Sequence, residues 1–162
     1  MTATFRFGTA GVLILASIVA GALTARAEAG PFTVLNGTWS GEGNITTSGG
    51  LRERLRCRAT YRAGDGGDQV QLALRCASDS YNFDLAGQVA HRNGTISGSW
   101  TEASRRASGT ISGRAVGDQI DANANGGTFS VSLSMTTRGN RQAVTIHSLA
   151  AEVTNVSITL SR

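Results

Sequence analysis

The sequence predicts an all-β protein, an up-and-down antiparallel β-barrel of 8–10 strands, with a two-sheet β-sandwich as the alternative arrangement. Three observations carry this expectation. Apolar and polar residues alternate in short runs from residue 30 to the C-terminus, the period of a strand with one core face. Clusters of Gly, Asn, Asp and Ser separate the runs and supply turn conformations. No apolar stripe of helical spacing persists for three turns.

Residues 1–29 differ from the rest. Arg6 is followed by the uncharged run "AGVLILASIVAGAL" (10–23), and "ARA" (25–27) or "AEA" (27–29) sets small residues at the cleavage positions, the pattern of an export signal. The run is shorter than the roughly 20 apolar residues of a spanning helix. Residues 30–162 are then expected to form a single β-barrel domain in a periplasmic or secreted protein, with no transmembrane span in the mature chain. All fifteen basic residues are arginine. The formal charge of +4 becomes +3 once Arg6, Arg26 and Glu28 are removed. So small an excess permits contact with anionic surfaces without requiring it.

The first strong element is a hairpin, "LRERLRCRATY" (51–61) and "QVQLALRCAS" (69–78), joined by "RAGDGGD". Leu51, Leu55, Cys57, Ala59 and Tyr61 share one face of the first strand; Val70, Leu72, Leu74 and Cys76 share one face of the second. Cys57 and Cys76 are the only cysteines, and beyond an export signal an even pair reads as a disulfide. Setting them opposite each other places Ala59 across from Leu74 and Tyr61 across from Leu72, so bridge and apolar pattern specify the same register. That register gathers Arg52, Arg54, Arg56, Arg58, Arg62 and Arg75 on the outer face, with Arg54 opposite Asp79 and Arg58 opposite Arg75. The stripe is either a solvated strand face that discourages edge pairing or an anion-binding patch.

The remaining chain reads as a meander. "GTWSG" (37–41), "GTISG" (94–98 and 109–113) and "GTFSV" (127–131) each open a strand, with Trp39, Ile96, Ile111 or Phe129 pointing inward. The second Gly of the first three copies falls on the core face, where it allows sharp coiling or close packing. An outer-membrane barrel would show similar alternation with aromatic girdles; the seven aromatic residues beyond residue 29 are instead spread singly.

Catalytic constellations are not recognisable. His91 and His147 fall in a turn signal and on a polar strand face, and no nucleophile with a base and an orienting partner can be assembled. "GDGGD" (64–68) offers too few regularly spaced oxygens for calcium, and two cysteines without a histidine pair make a poor zinc site. No metal, no cofactor and no catalytic residue is expected.

"GTW" (37–39) resembles the G-x-W opening of the first strand in lipocalins, avidins and related calycin barrels. The resemblance covers about ten residues and implies a barrel closed at one end by Trp39, with a ligand cavity inside. The whole chain also resembles small exported proteins of alphaproteobacteria, which implies a compartment and no activity.

The functional expectation is therefore an exported, non-enzymatic binding protein. Its arginine face would contact an anionic envelope component or a protein partner, and not nucleic acid, since no aromatic residue interleaves with the arginines. The alternative is a carrier of a small apolar ligand, held inside the barrel by Trp39, Tyr61, Tyr81, Phe83, Trp100 and Phe129.

Overall fold

Period-two alternation gives every strand one apolar face, and the stable arrangement for many such strands is a sheet curled until those faces enclose one core. The computed structural model of the chain describes residues 28–127, 129–148 and 152–162, with the backbone alone at Asp65 and Phe129. Nearly all of the expected export segment, 1–29, thus lies outside the described residues. Ten strands follow in order: β1 (Gly37–Thr47), β2 (Arg52–Gly64), β3 (Gln69–Ala77), β4 (Asn82–Arg92), β5 (Thr95–Glu102), β6 (Ala107–Val116), β7 (Gln119–Gly126), β8 (Phe129–Arg138), β9 (Arg141–Ser148) and β10 (Val153–Ser161). Each pairs antiparallel with the next, and β1 pairs with β10, so the sheet closes. The barrel is realised and the sandwich is not.

The β2–β3 register is the one read from the sequence: Cys57 faces Cys76, Ala59 faces Leu74, Tyr61 faces Leu72 and Arg58 faces Arg75. The two cysteines form a disulfide with their Cα atoms 4.1 Å apart. The core-face glycines of the repeat are also explained. A Cβ on Gly41, Gly98 or Gly113 would meet the carbonyl oxygen of Thr159, Gln88 or Asp121 on the neighbouring strand at 2.0, 2.0 and 2.1 Å. Backbones approach each other there more closely than any side chain allows, which is how a sheet is coiled tightly enough to close.

The two ends of the barrel differ. At one, residues 30–36 cross the opening, with a short 3-10 turn at Thr33–Leu35. The Gly30 and Phe32 amides donate to the carbonyls of Gly66 and Gly67 in the β2–β3 turn, at 2.8 and 3.0 Å. Phe32 and Leu35 are thereby pressed inward, each 2% exposed. Trp39 is fully buried beneath them, donates its indole N–H to the Leu35 carbonyl at 2.6 Å, and is covered by the Arg162 guanidinium 4.6 Å from its ring centre. Polar groups trapped at this end satisfy one another: Tyr61 donates to Gln142 Oε1 at 2.8 Å, and Gln142 Nε2 donates to Thr137 Oγ1 at 3.2 Å. Burial pushes the Tyr61 phenol well above its ordinary range, partly offset by the Gln142 hydrogen bond, so it stays a neutral donor. His91, expected in a turn, sits here instead at the inward-facing end of β4. Its Nε2 accepts from the Gly94 amide at 3.0 Å, so Nδ1 carries the proton and donates to Asp68 Oδ1 at 2.8 Å.

Outward faces are polar, and among the described residues only Val34, Leu51 and Val116 are exposed large apolar side chains. No helix among the described residues is long and apolar enough to cross a membrane.

The disulfide closes a loop of 19 residues separation, for which chain entropy contributes about 3 kcal/mol. A Cys57→Ala/Cys76→Ala double variant is expected to keep the fold, because the apolar pattern specifies the same register. Its unfolding free energy should fall by about 3 kcal/mol in urea titrations; an unfolded double variant would show that the bridge alone holds that register.

Candidate functional site

The residues of the sequence-predicted interior set separate into two levels. Trp39 and Tyr61 belong to the packed closed end. Tyr81, Phe83 and Trp100 line a cavity of about 370 Å³ in the other half of the barrel. The Phe129 side chain lies outside the described residues. The cavity walls are apolar: Leu72, Leu74, Leu85, Ile111, Leu133 and Ile146 all face it. Space remains because ten strands enclose a wider interior than eight, and eight are just filled by side chains. Small inward residues enlarge it: Gly87, Ala107 and Ala124 also line the cavity, and a Cβ at Gly87 would find nothing nearer than 3.6 Å.

The mouth of the cavity is polar, and its key residues escaped the sequence reading. Glu102, the last residue of β5, points inward and is 6% exposed. Three backbone amides satisfy it, those of Asp84 (2.9 Å), Ser104 (3.2 Å) and Arg105 (2.7 Å). Burial by itself would raise its carboxyl, but the amides of Asp84, Arg105 and Ser104 together outweigh it and hold the group below the usual carboxylate range. Arg105 stands 3.7 Å from Glu102, donates to the Asn82 carbonyl at 3.0 Å and stacks 4.8 Å over the Phe83 ring. Tyr81 donates to Glu152 Oε1 at 2.7 Å, and this hydrogen bond to a carboxylate raises the phenol. Glu53 Oε2 accepts from the Ser78 hydroxyl at 2.6 Å and the Ser80 amide at 3.0 Å. The signal was one of parity: Glu53 alternates in step with Leu55 and Cys57, and Glu102 with Ile96 and Trp100, so both are carboxylates on a core face.

The arginine stripe is where the sequence placed it, on the outer face. Arg52, Arg54, Arg56, Arg58, Arg62 and Arg75 are all exposed. Its neutralising partners are not those expected. Strand β3 ends at Ala77, so Asp79 lies in the turn beyond it. Arg54 pairs instead with Glu42 of β1, and Arg75 with Asp84 of β4 at 3.3 Å. The reason is topological: in a closed sheet each strand of the hairpin has a second neighbour, and those neighbours carry the carboxylates. Arg56 and Arg58 rim a shallow outer groove with Ser40, Glu42, Arg75 and Asp84. His147 is exposed on the outer face of β9. Among the described residues no three His, Cys, Asp or Glu side chains come together as a metal site.

No family model and no curated protein sequence matches the chain. Solved structures share its fold. The crystal structure of Rv2717c from M. tuberculosis superposes with a TM-score of 0.61 at 12% identity, covering 80% of this chain and 93% of that one. An S-type phycobiliprotein lyase, CPES, from Guillardia theta superposes with a TM-score of 0.58 at 6% identity, covering 81% and 89%. These likenesses agree with the calycin-type barrel that the G-x-W motif implied. They also correct the expectation of a non-enzymatic protein: one barrel of this fold is a lyase, so the fold is no argument against catalysis.

A depressed carboxyl contributes stability that is fully present above its unfolded value, about 4.3, and lost as pH falls through the folded value. Glu102→Gln, which retains one acceptor oxygen and loses the charge, is expected to cost about 1–3 kcal/mol at neutral pH. The gap between variant and parent in urea unfolding should narrow below about pH 4; a gap independent of pH would rule out the charged carboxylate as its source.

Proposed function

We propose that the barrel binds a small apolar ligand in its interior, entering at the end opposite Trp39. The observation that carries this reading is the 370 Å³ cavity, apolar along its walls and polar at its mouth. That is the form of a small-molecule site, concave, largely preformed and of a few hundred Å³. Tyr81, Phe83 and Trp100 are its aromatic contacts. The Cys57–Cys76 bridge supports an oxidising compartment, periplasmic or extracellular, as the export pattern of residues 1–29 does, and the polar outer face suits a barrel surrounded by water.

A Gly87→Leu/Ala124→Leu variant narrows the cavity from two of its walls, and a Cβ at Gly87 meets no atom nearer than 3.6 Å. It is expected to abolish enhancement of an apolar fluorescent probe while leaving the melting temperature unchanged or higher, since cavities themselves are destabilising. Probe binding that survives the filled interior would move the site elsewhere.

The arginine face is a second reading, favoured by Arg56 and Arg58, which carry no ion pair among the described residues and rim the outer groove with Arg75. It would contact an anionic envelope component or an acidic partner. Retention on an anionic polysaccharide column should then weaken as salt rises and be lost in an Arg56→Ser/Arg58→Ser/Arg75→Ser variant. Equal elution of both proteins would leave the stripe as the solvated side of a strand.

A further inference from the structure

The mouth of the cavity is rich in acceptors and poor in cations, against the charge of the chain as a whole. Tyr81 lies within electrostatic reach of Glu152, Glu53 and Arg105, and Glu102 adjoins Arg105. Two carboxylates, Glu102 and Glu152, thus line the cavity with one guanidinium, and Glu53 stands beside Tyr81, in a protein whose formal charge is +4. That guanidinium is already engaged by Glu102, the Asn82 carbonyl and the Phe83 ring. Glu53 spends one oxygen on both of its local hydrogen bonds, which leaves Oε1 for another donor.

A second observation is independent of these carboxylates. Ser148, the last residue of β9, lines the cavity and is 6% exposed, yet among the described residues its Oγ has no hydrogen-bond partner. Asn155, which also lines the cavity beside the β10 bulge, has its Oδ1 buried and equally without a partner among the described residues. Buried polar atoms are ordinarily satisfied, and an orphan calls for a missing partner. An amide oxygen can only accept, so the group that completes Asn155 must donate.

We propose that the occupant of the cavity is a cationic amphiphile, an apolar body carrying a protonated amine. The inference rests on the interior-ligand reading and names its chemical class. An ammonium supplies three donors and a positive charge, which matches open acceptors at a mouth with net negative charge. A carboxylate head has no donor for Asn155 and would meet Glu102 and Glu152, the carboxylates that line the cavity; a hydroxyl head supplies one donor and no charge. At about 30 Å³ per water-sized group, 370 Å³ takes about a dozen non-hydrogen atoms, the size of a decyl chain with its head.

The test is calorimetric titration of the barrel with decylammonium, decanol and decanoate, all below their micellar concentrations and at low salt. Decylammonium is expected to bind about tenfold or more tighter than decanol, and decanoate weakest, since charge-assisted hydrogen bonds are about twice as strong as neutral ones. Glu53→Gln and Glu152→Gln each keep an acceptor oxygen for their Ser78, Ser80 or Tyr81 partners, so the fold should persist. Each should weaken decylammonium severalfold and leave decanol unchanged. Equal binding of amine and alcohol, or tighter binding of the acid, would overturn the cationic head while sparing the apolar site. No binding by any of the three, together with no loss of probe signal in the filled variant, would overturn the interior site itself.

Discussion

Closure of the sheet is the constraint on which everything else in this molecule depends. Once β1 pairs with β10, no strand keeps a row of unpaired amides and carbonyls, and edge protection ceases to be a demand on the sequence. The circumference is then set by the number of strands, and ten make an interior wider than ordinary side chains fill. The chain meets that excess differently at its two ends. Near Trp39 it adds material, folding residues 30–36 across the opening and burying Phe32 and Leu35. Near Tyr81 no described residue crosses the opening, and small residues such as Gly87 and Ala124 leave space in the interior.

The polar chemistry follows the same division. At the filled end buried polar groups are paired among themselves, as in the Tyr61, Gln142 and Thr137 chain, and such a network favours one arrangement of a core. At the open end carboxylates fold the turns back on themselves: Glu102 gathers three amides of β4 and the β5–β6 turn. The β3–β4 and β5–β6 turns are thereby held in place at this end, by Glu53 and Glu102.

What was legible in the sequence was whatever repeats locally. The alternation of Leu55, Cys57, Ala59 and Tyr61 against Leu72, Leu74 and Cys76 was enough for one hairpin's register, and the G-T-x-S-G copies located glycines that only close backbone contact explains. What was not legible depended on partners distant in sequence. Arg54 meets Glu42 only because β1 and β2 are neighbours on the side away from the hairpin. The residues 30–36 carry apolar side chains but no periodicity, and their role appears only when the β2–β3 turn is brought beneath them. Glu102 and Glu53 obey the core parity, yet alternation alone cannot distinguish a carboxylate facing a packed core from one at the lip of a cavity. His91 was misplaced for the same reason, since its two partners, Asp68 and Gly94, come from different turns.

Residues 28–36 and Arg162 converge on the filled pole, where the Arg162 guanidinium donates to the Asn36 carbonyl at 2.7 Å. Both ends of the described chain therefore leave the barrel on the side opposite the cavity. A tether, a fused domain or a solid support joined to either end would hold the molecule like a cup by its base, with the rim of Glu53, Glu102 and Glu152 turned towards the surroundings.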